Sequence, residues 1–181
     1  MRLVITGSQG NIGRRLRAAF PDTVGIDIVE GAEIIGDLAT LDFDAPAVAD
    51  ALRSVEGVVH LATSPNPSAP DAVHFTAVTN AARLLAACER YDVNRLVLAS
   101  SDWAQPKALM AGINVYGHSK RVFEAMAAMY THTGRRGVAL RFGWVPHDPA
   151  QLVGAPQWLM DNYWDDARLL AEVRGALGIT A

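Results

Sequence analysis

The stretch Arg2–Gly13, RLVITGSQGNIG, decides the fold. Its apolar run Leu3-Val4-Ile5 suits a strand buried on both faces. Three glycines follow, Gly7, Gly10 and Gly13, and the run Ile12–Phe20 then places Ile12, Leu16 and Ala19 at helical spacing. A strand turning through glycines into a helix is the context in which such a motif grips a dinucleotide. Gly7 allows the tight turn, Gly10 the close approach of a pyrophosphate, and Gly13 the close packing of helix on strand. The N–H groups at the helix start, around Asn11 and Ile12, lack acceptors within the helix and face the phosphates. The spacing is G-x-x-G-x-x-G rather than G-x-G-x-x-G, so the strand–helix context carries the inference and not the glycines alone.

Outward from this motif the chain alternates. Thr23–Ile28 reads as a second buried strand ending at Asp27, and Glu33–Gly36 as a short third one running into Asp37-Leu38. Ala47–Leu52 is a helix with Asp44 as its N-cap ahead of Pro46. Gly57–Ala62 is the fourth strand, and the proline- and serine-rich Thr63–Pro70 is a loop at its end. A long helix covers Asp71–Arg90, with Val73, Ala77, Ala81, Leu84, Leu85 and Cys88 along its apolar face. Arg95–Ala99 is the fifth strand, Ser100–Asn114 a polar connection, Val115–Tyr130 a helix, and Gly137–Arg141 the sixth strand. Strands alternating with helices through right-handed crossovers make an α/β doubly wound parallel sheet of about six strands. The expected order is 3-2-1-4-5-6, with the site at the switch between the first and fourth strands. The expected division is a nucleotide-binding unit over 1–146 and a short tail over 147–181 carrying one helix, Asp165–Leu177.

Composition narrows the class. The 181 residues carry a formal net charge of −3 with no basic block, which argues against nucleic acid as a partner. No apolar run approaches the roughly 18 residues of a membrane span, and a strand beginning at residue 2 is expected to leave no room for a signal peptide. A single cysteine, Cys88, allows no internal disulfide and fits a cytoplasmic protein. Cys88 on an apolar helix face reads as packing. His60 reads as a core histidine, and His118, His132 and His147 have no zinc-ligand spacing, so no metal is expected.

Two constellations carry chemistry. Asp27, at the end of the second strand, is placed to accept hydrogen bonds from ribose hydroxyls and to repel a 2′-phosphate, which favours NAD over NADP. Asp37 and Leu38 end the third strand within reach of an adenine, and Leu61, Ala62 and Thr63 leave the fourth strand where small side chains line a cofactor. The second constellation is Tyr116 and Lys120, which share a helix face. A neighbouring ammonium stabilises a phenolate and lowers the tyrosine pKa toward the range of a general base. Ser100-Ser101 closes the fifth strand, where a serine hydroxyl can hold a substrate oxygen while Tyr116 exchanges its proton.

With TGSQGNIG, the strand-end Asp27, GDL at Gly36–Leu38, HLA at His60–Ala62, LASS at Leu98–Ser101 and YGHSK at Tyr116–Lys120 in this order, the chain resembles the extended short-chain dehydrogenase/reductase superfamily. That superfamily includes NAD-dependent epimerases and dehydratases. The resemblance covers Arg2–Pro146. LRFG at Leu140–Gly143 and YWDDARLLAEVRGAL at Tyr163–Leu177 look like segments of its uronate dehydrogenase branch. It implies a Rossmann fold, NAD(P) binding and a homodimer through the two long helices. It also implies a catalytic set of Ser101, Tyr116 and Lys120: Tyr116 as acid/base, Lys120 tuning it and holding the nicotinamide ribose, and Ser101 orienting the substrate. The chain departs from the family pattern in four places. Ala77 stands where many members carry an asparagine, and the Ser101–Tyr116 connection is short. Gln151–Gln157 holds no arginine for a substrate carboxylate, and the C-terminal substrate region is reduced. Three readings follow: an NAD-dependent oxidoreductase acting on a small polar, sugar-derived molecule; a non-catalytic NAD(P)-binding sensor or partner-binding module; and a sugar-nucleotide epimerase or dehydratase.

Overall fold

Leu3, Val4 and Ile5 are wholly buried in β1 (Leu3–Thr6), which has a parallel neighbour on each side. A computed structural model describes residues 1–105, 112–132 and 134–179. Its six strands are β1, β2 (Thr23–Asp27), β3 (Ile34–Ile35), β4 (Gly57–His60), β5 (Arg95–Ser100) and β6 (Arg136–Arg141). They form one parallel sheet in the order β3-β2-β1-β4-β5-β6, as the sequence predicts.

Side chains alternate across this sheet and build two cores. Val4, Val58, Leu96 and Leu98 point to one face, covered by α2 (Pro46–Arg53), α3 (Asp71–Arg90) and α4 (Val115–Tyr130). Leu3, Ile5, Val59 and Val97 point to the other, covered by α1 (Asn11–Ala19) and α6 (Asp166–Leu177). The chain reaches α6 through a 3-10 turn at Pro149–Leu152 and the short α5 (Gln157–Met160). Leu169, Val173 and Leu177 of α6 are buried against β1, β4 and β5 residues. Of the expected polar connection Ser100–Asn114, residues 106–111 lie outside the described residues.

Three local expectations are corrected. Asp44 does not cap α2, whose N-cap is Ala45 with no side-chain bond. Its carboxylate instead accepts from Tyr91 Oη at 2.6 Å and pairs with Arg90 at the end of α3, which holds it below the ordinary carboxylate range. The buried face of α3 is wider than expected: Ala77, Ala81, Leu84 and Cys88 lie on it as the sequence predicts, His74, Asn80 and Ala87 join it, and Val73 is exposed. β3 shrinks to two residues, Ile34–Ile35, and the Glu33 side chain before it accepts from Gly25 N at 2.7 Å and pairs with Arg17.

The glycine turn is fixed by close approach. Gly7 has φ +71°, and a Cβ there would lie 2.7 Å from the Leu61 carbonyl carbon. A Cβ on Gly13 would lie 2.2 Å from the Gly7 carbonyl oxygen, so α1 packs on the turn itself rather than on the strand. Because both partners are backbone, neither gives way. Gly13→Ala is expected to destabilise the fold by about 3 kcal/mol or more, lowering Tm by roughly 6–12 °C in a thermal melt.

Candidate functional site

The carboxyl ends of β1, β2, β3 and β4 open onto a cleft of about 640 Å³, bounded on its far side by α3. It brings together most of the predicted nucleotide set: Gly7 and Gly10 from the glycine turn, Asp27 from β2, Asp37 and Leu38 after β3, and Leu61, Ala62 and Thr63 after β4. Gln9, Ile28, Val29, Thr76 and Asn80 line it as well, and the sequence analysis did not single these out.

Three features bear on what this cleft can hold. The first intrahelical bond of α1 runs from Arg14 N to Gly10 O at 3.0 Å, which leaves the N–H groups of Asn11, Ile12 and Gly13 without helical acceptors. No side chain caps them and no acidic residue stands in the first turn, so this end of the helix suits an anion. The Cβ positions at Gly7 and Gly13 are filled by backbone, which is why no side chain screens the turn. Asp27 is fixed at the cleft wall, its Oδ2 accepting from Gln9 N at 2.8 Å and its Oδ1 from Ile28 N at 2.8 Å. Oδ1 accepts from Val29 N as well, at 3.3 Å, so Oδ2 is the oxygen that keeps acceptor capacity for a diol. The phosphate-facing turn and the diol-facing carboxylate therefore fit a dinucleotide.

Asn11, Ile12 and Gly13 do not line the cleft. The Asn11 amide donates to Val145 O at 2.8 Å, and Ile12 packs against the α1–α6 core. What they offer a ligand is backbone N–H without a helical acceptor, not side chains.

Beyond Thr63 lies the second constellation. Tyr116, 6% exposed, sits in the first turn of α4, where Asn114 caps the helix by accepting from Gly117 N at 2.9 Å. Gly117 lets the 3-10 turn Asp102–Ala104 come close, since a Cβ there would lie 2.4 Å from Trp103 O. Trp103 stacks edge-on to Tyr116 with centroids 6.3 Å apart. The two serines ending β5 separate in role. Ser100 Oγ donates to Glu124 at 2.8 Å, within an ion pair that Arg141 makes to the same carboxylate, while Ser101 stands beside the Tyr116 phenol. Lys120, 2% exposed, donates from Nζ to Ala99 O at 2.9 Å and to Thr63 Oγ1 at 3.3 Å. Its Nζ is 5.2 Å from the Tyr116 ring centroid. Thr63 thus belongs to the cleft wall and to the lysine's anchorage at once.

The electrostatics differ from the sequence expectation. Burial pushes the Tyr116 phenol above its ordinary value, and the Ser101 side chain offsets only part of that rise. Burial also lowers Lys120 to about 7. The lysine spends its bonds on neutral oxygens, and desolvation outweighs the downward shift expected from a neighbouring ammonium. His60 is a core histidine, with Nδ1 2.7 Å from Thr6 Oγ1. It is lowered to about 3 by burial and then by the charge of Lys120. His74, unremarked in the sequence, is 1% exposed and meets Tyr116 edge-on at 5.3 Å, with neither ring nitrogen partnered among the described residues. Among the described residues, no helix is long and apolar enough to cross a membrane.

Comparison with known proteins agrees with this arrangement. Residues 3–145 match the model of the NAD dependent epimerase/dehydratase family. The L-arabinose 1-dehydrogenase (NAD(P)(+)) of Haloferax volcanii is 29% identical over 170 residues, covering 80% of this chain and 67% of its own. Among solved structures, MoeE5 in complex with UDP-glucuronic acid and NAD is 26% identical with a TM-score of 0.64, over 79% of this chain and 55% of its own. A mutated uronate dehydrogenase is 27% identical with a TM-score of 0.59, over 78% of this chain and 58% of its own. The chain therefore spans between half and two thirds of the length of these solved structures.

The buried lysine gives a pH-dependent expectation. Below about pH 7 Lys120 is protonated in both folded and unfolded chain, and the full cost of burying its charge is present. Between there and its ordinary value of 10.5 the unfolded chain binds more protons, so stability gains from this group as pH rises. Lys120→Met is expected to raise Tm by roughly 5 °C at pH 6 and to lose that advantage near pH 10, read by thermal melts across this range.

Proposed function

The chain belongs to the NAD-dependent epimerase/dehydratase family, and on that premise we propose that it is an NAD-dependent oxidoreductase acting on a hydroxyl or carbonyl carbon of a small sugar-derived substrate. The observation that carries this reading is the position of Tyr116 beside Ser101 and Lys120, with Lys120 bonded across to Thr63 of the cleft wall. The sugar dehydrogenase and the sugar-nucleotide complex among its relatives support the substrate class.

In this reading the open N–H groups of the glycine turn hold the diphosphate and Asp27 holds the adenosine ribose diol. A 2′-phosphate would bring like charge against the Asp27 carboxylate, which favours NAD over NADP. When bound, the nicotinamide supplies the two-electron acceptor or donor for a hydride. Ser101 holds the substrate oxygen. Tyr116, a phenol whose value burial raises further, gives that oxygen a proton in reduction and takes one in oxidation. Lys120, brought by burial to about 7, changes charge within the working range, and its ammonium form favours the phenolate that oxidation needs. Exposed apolar side chains on the long helices, Phe75 on α3 and Met129 on α4, support a homodimer through those helices. Cytoplasmic residence is supported by Cys88, a buried free thiol that burial pushes up to about 12.

The upward shift of Tyr116 favours a second reading, a nucleotide-binding module without turnover. One assay separates the two. NADH production is followed over a panel of aldoses and uronates, for the wild type and for Tyr116→Phe. Turnover that falls about 10²–10⁴-fold in Tyr116→Phe at unchanged NAD affinity is expected. Turnover that survives the substitution contradicts the assigned role, and NAD binding without turnover on any substrate selects the module.

A further inference from the structure

α3 carries two buried polar side chains on a face otherwise made of alanine, leucine and cysteine: His74 and Asn80. Asn80, 9% exposed, lines the cleft beside Thr76 and Ala77. Its Oδ1 is buried without a partner among the described residues, and its Nδ2 donates to none of them. A carboxamide in a largely apolar wall with no partner is unfavourable, and a bound group that satisfies it is favoured accordingly.

The surroundings of Asn80 are set from outside the cleft. One turn along the helix, Arg83 donates from Nη1 to Ala39 O at 2.9 Å and from Nη2 to Leu41 O at 2.7 Å. This clamp ties the loop after β3 to α3, and Asp37 and Leu38 of that loop line the cleft together with Asn80. Leu38 shares a buried cluster with Ala77 and Ala81, which flank Asn80 on the helix. Asp37 Oδ1 accepts from Ala39 N at 2.9 Å, while the Leu38 N–H makes no hydrogen bond among the described residues.

With the diphosphate at Gly7–Gly10 and the ribose at Asp27, this end of the cleft is left for the base. The geometry points to Asn80 as the residue that selects adenine there, its carboxamide accepting from the 6-amino group; this rests on the dinucleotide reading above. Adenine suits a carboxamide because each carries a donor beside an acceptor. Neither arm of Asn80 is committed to another described residue, so the ligand sets which way the amide turns. A 6-oxo purine puts an acceptor where the 6-amino donor stands. Turning the amide over lets it donate to O6 but does not bring the base in. Whichever way the amide turns, the Leu38 N–H repels the N–H that the 6-oxo base carries at N1, which holds that base back from Asn80. A site built to hydrogen-bond one group discriminates against the analogue that lacks it.

The test is calorimetric titration of the wild type and Asn80→Leu with NAD and with nicotinamide hypoxanthine dinucleotide. The wild type is expected to bind NAD about tenfold more tightly than the hypoxanthine form. Asn80→Leu is expected to weaken NAD roughly tenfold, leaving the hypoxanthine form within about threefold of its wild-type affinity. If Asn80→Leu does not fold, as judged by circular dichroism, Asn80→Ala is titrated in its place on the same criteria. Equal weakening of both dinucleotides, an unchanged preference in the variant, or no preference in the wild type overturns the base-selecting role while the nucleotide reading stands. Failure of the wild type to bind either dinucleotide overturns both.

Discussion

The contact between α1 and the turn that feeds it governs the rest of the molecule. A Cβ on Gly13 would fall 2.2 Å from the Gly7 carbonyl oxygen, and one on Gly7 would fall 2.7 Å from the backbone after β4. These approaches bring three backbone segments together at the carboxyl edge of the sheet, with no side chain between them. The N–H groups at the start of α1 are thereby left facing open space, with neither cap nor acidic neighbour to satisfy them. Burial of β1 between β2 and β4 makes the arrangement rigid, because shifting the turn would drag a strand that is packed on both faces.

From that fixed point the molecule links two chemically different regions. The cleft is lined by the glycine turn, aliphatic and small polar side chains, Asn80 and the carboxylates of Asp27 and Asp37, whereas Tyr116 is buried between His74 and Trp103. Thr63 and Lys120 join them through one hydrogen bond, and Ala99 O holds the lysine from the other side. Burial leaves the lysine poorly solvated as a cation, so its charge responds to whatever polar group enters the neighbouring cleft. Proximity of Lys120 to the phenol is therefore not sufficient by itself; burial sets the direction of both groups' shifts.

Much of this was legible in the residue order. Short apolar runs separated by helical periodicity give the six parallel strands and their order, since buried parallel strands admit few other patterns. α3 and α4 begin and end where the helical periodicity places them, at Asp71–Arg90 and Val115–Tyr130. What escaped is what tertiary contact decides. Asp44 has the right residue type and place for a cap, yet Arg90 and Tyr91, distant in sequence, outcompete the helix for its carboxylate. Hydropathy puts Val73 on the buried face of α3 and singles out neither His74 nor Asn80. The structure exposes Val73 and buries the other two, because the face of α3 is set by the sheet and by the Arg83 clamp rather than by each side chain's polarity. The polar residues at 74 and 80, on either side of Ala77, were the one sequence signal of a functional wall. The Tyr116–Lys120 spacing shows that the two share a helix face but carries no information on burial, so the sign of the tyrosine shift was not readable from it.

The proposed function depends on the glycine turn and Asp27 together gripping a dinucleotide. The most direct measurement is calorimetric titration of the wild-type chain with NAD, repeated with Asp27→Ala. Saturable one-to-one binding of NAD, weakened about tenfold or more in Asp27→Ala, is the expected result. No heat from either NAD or NADH at millimolar concentration would contradict it.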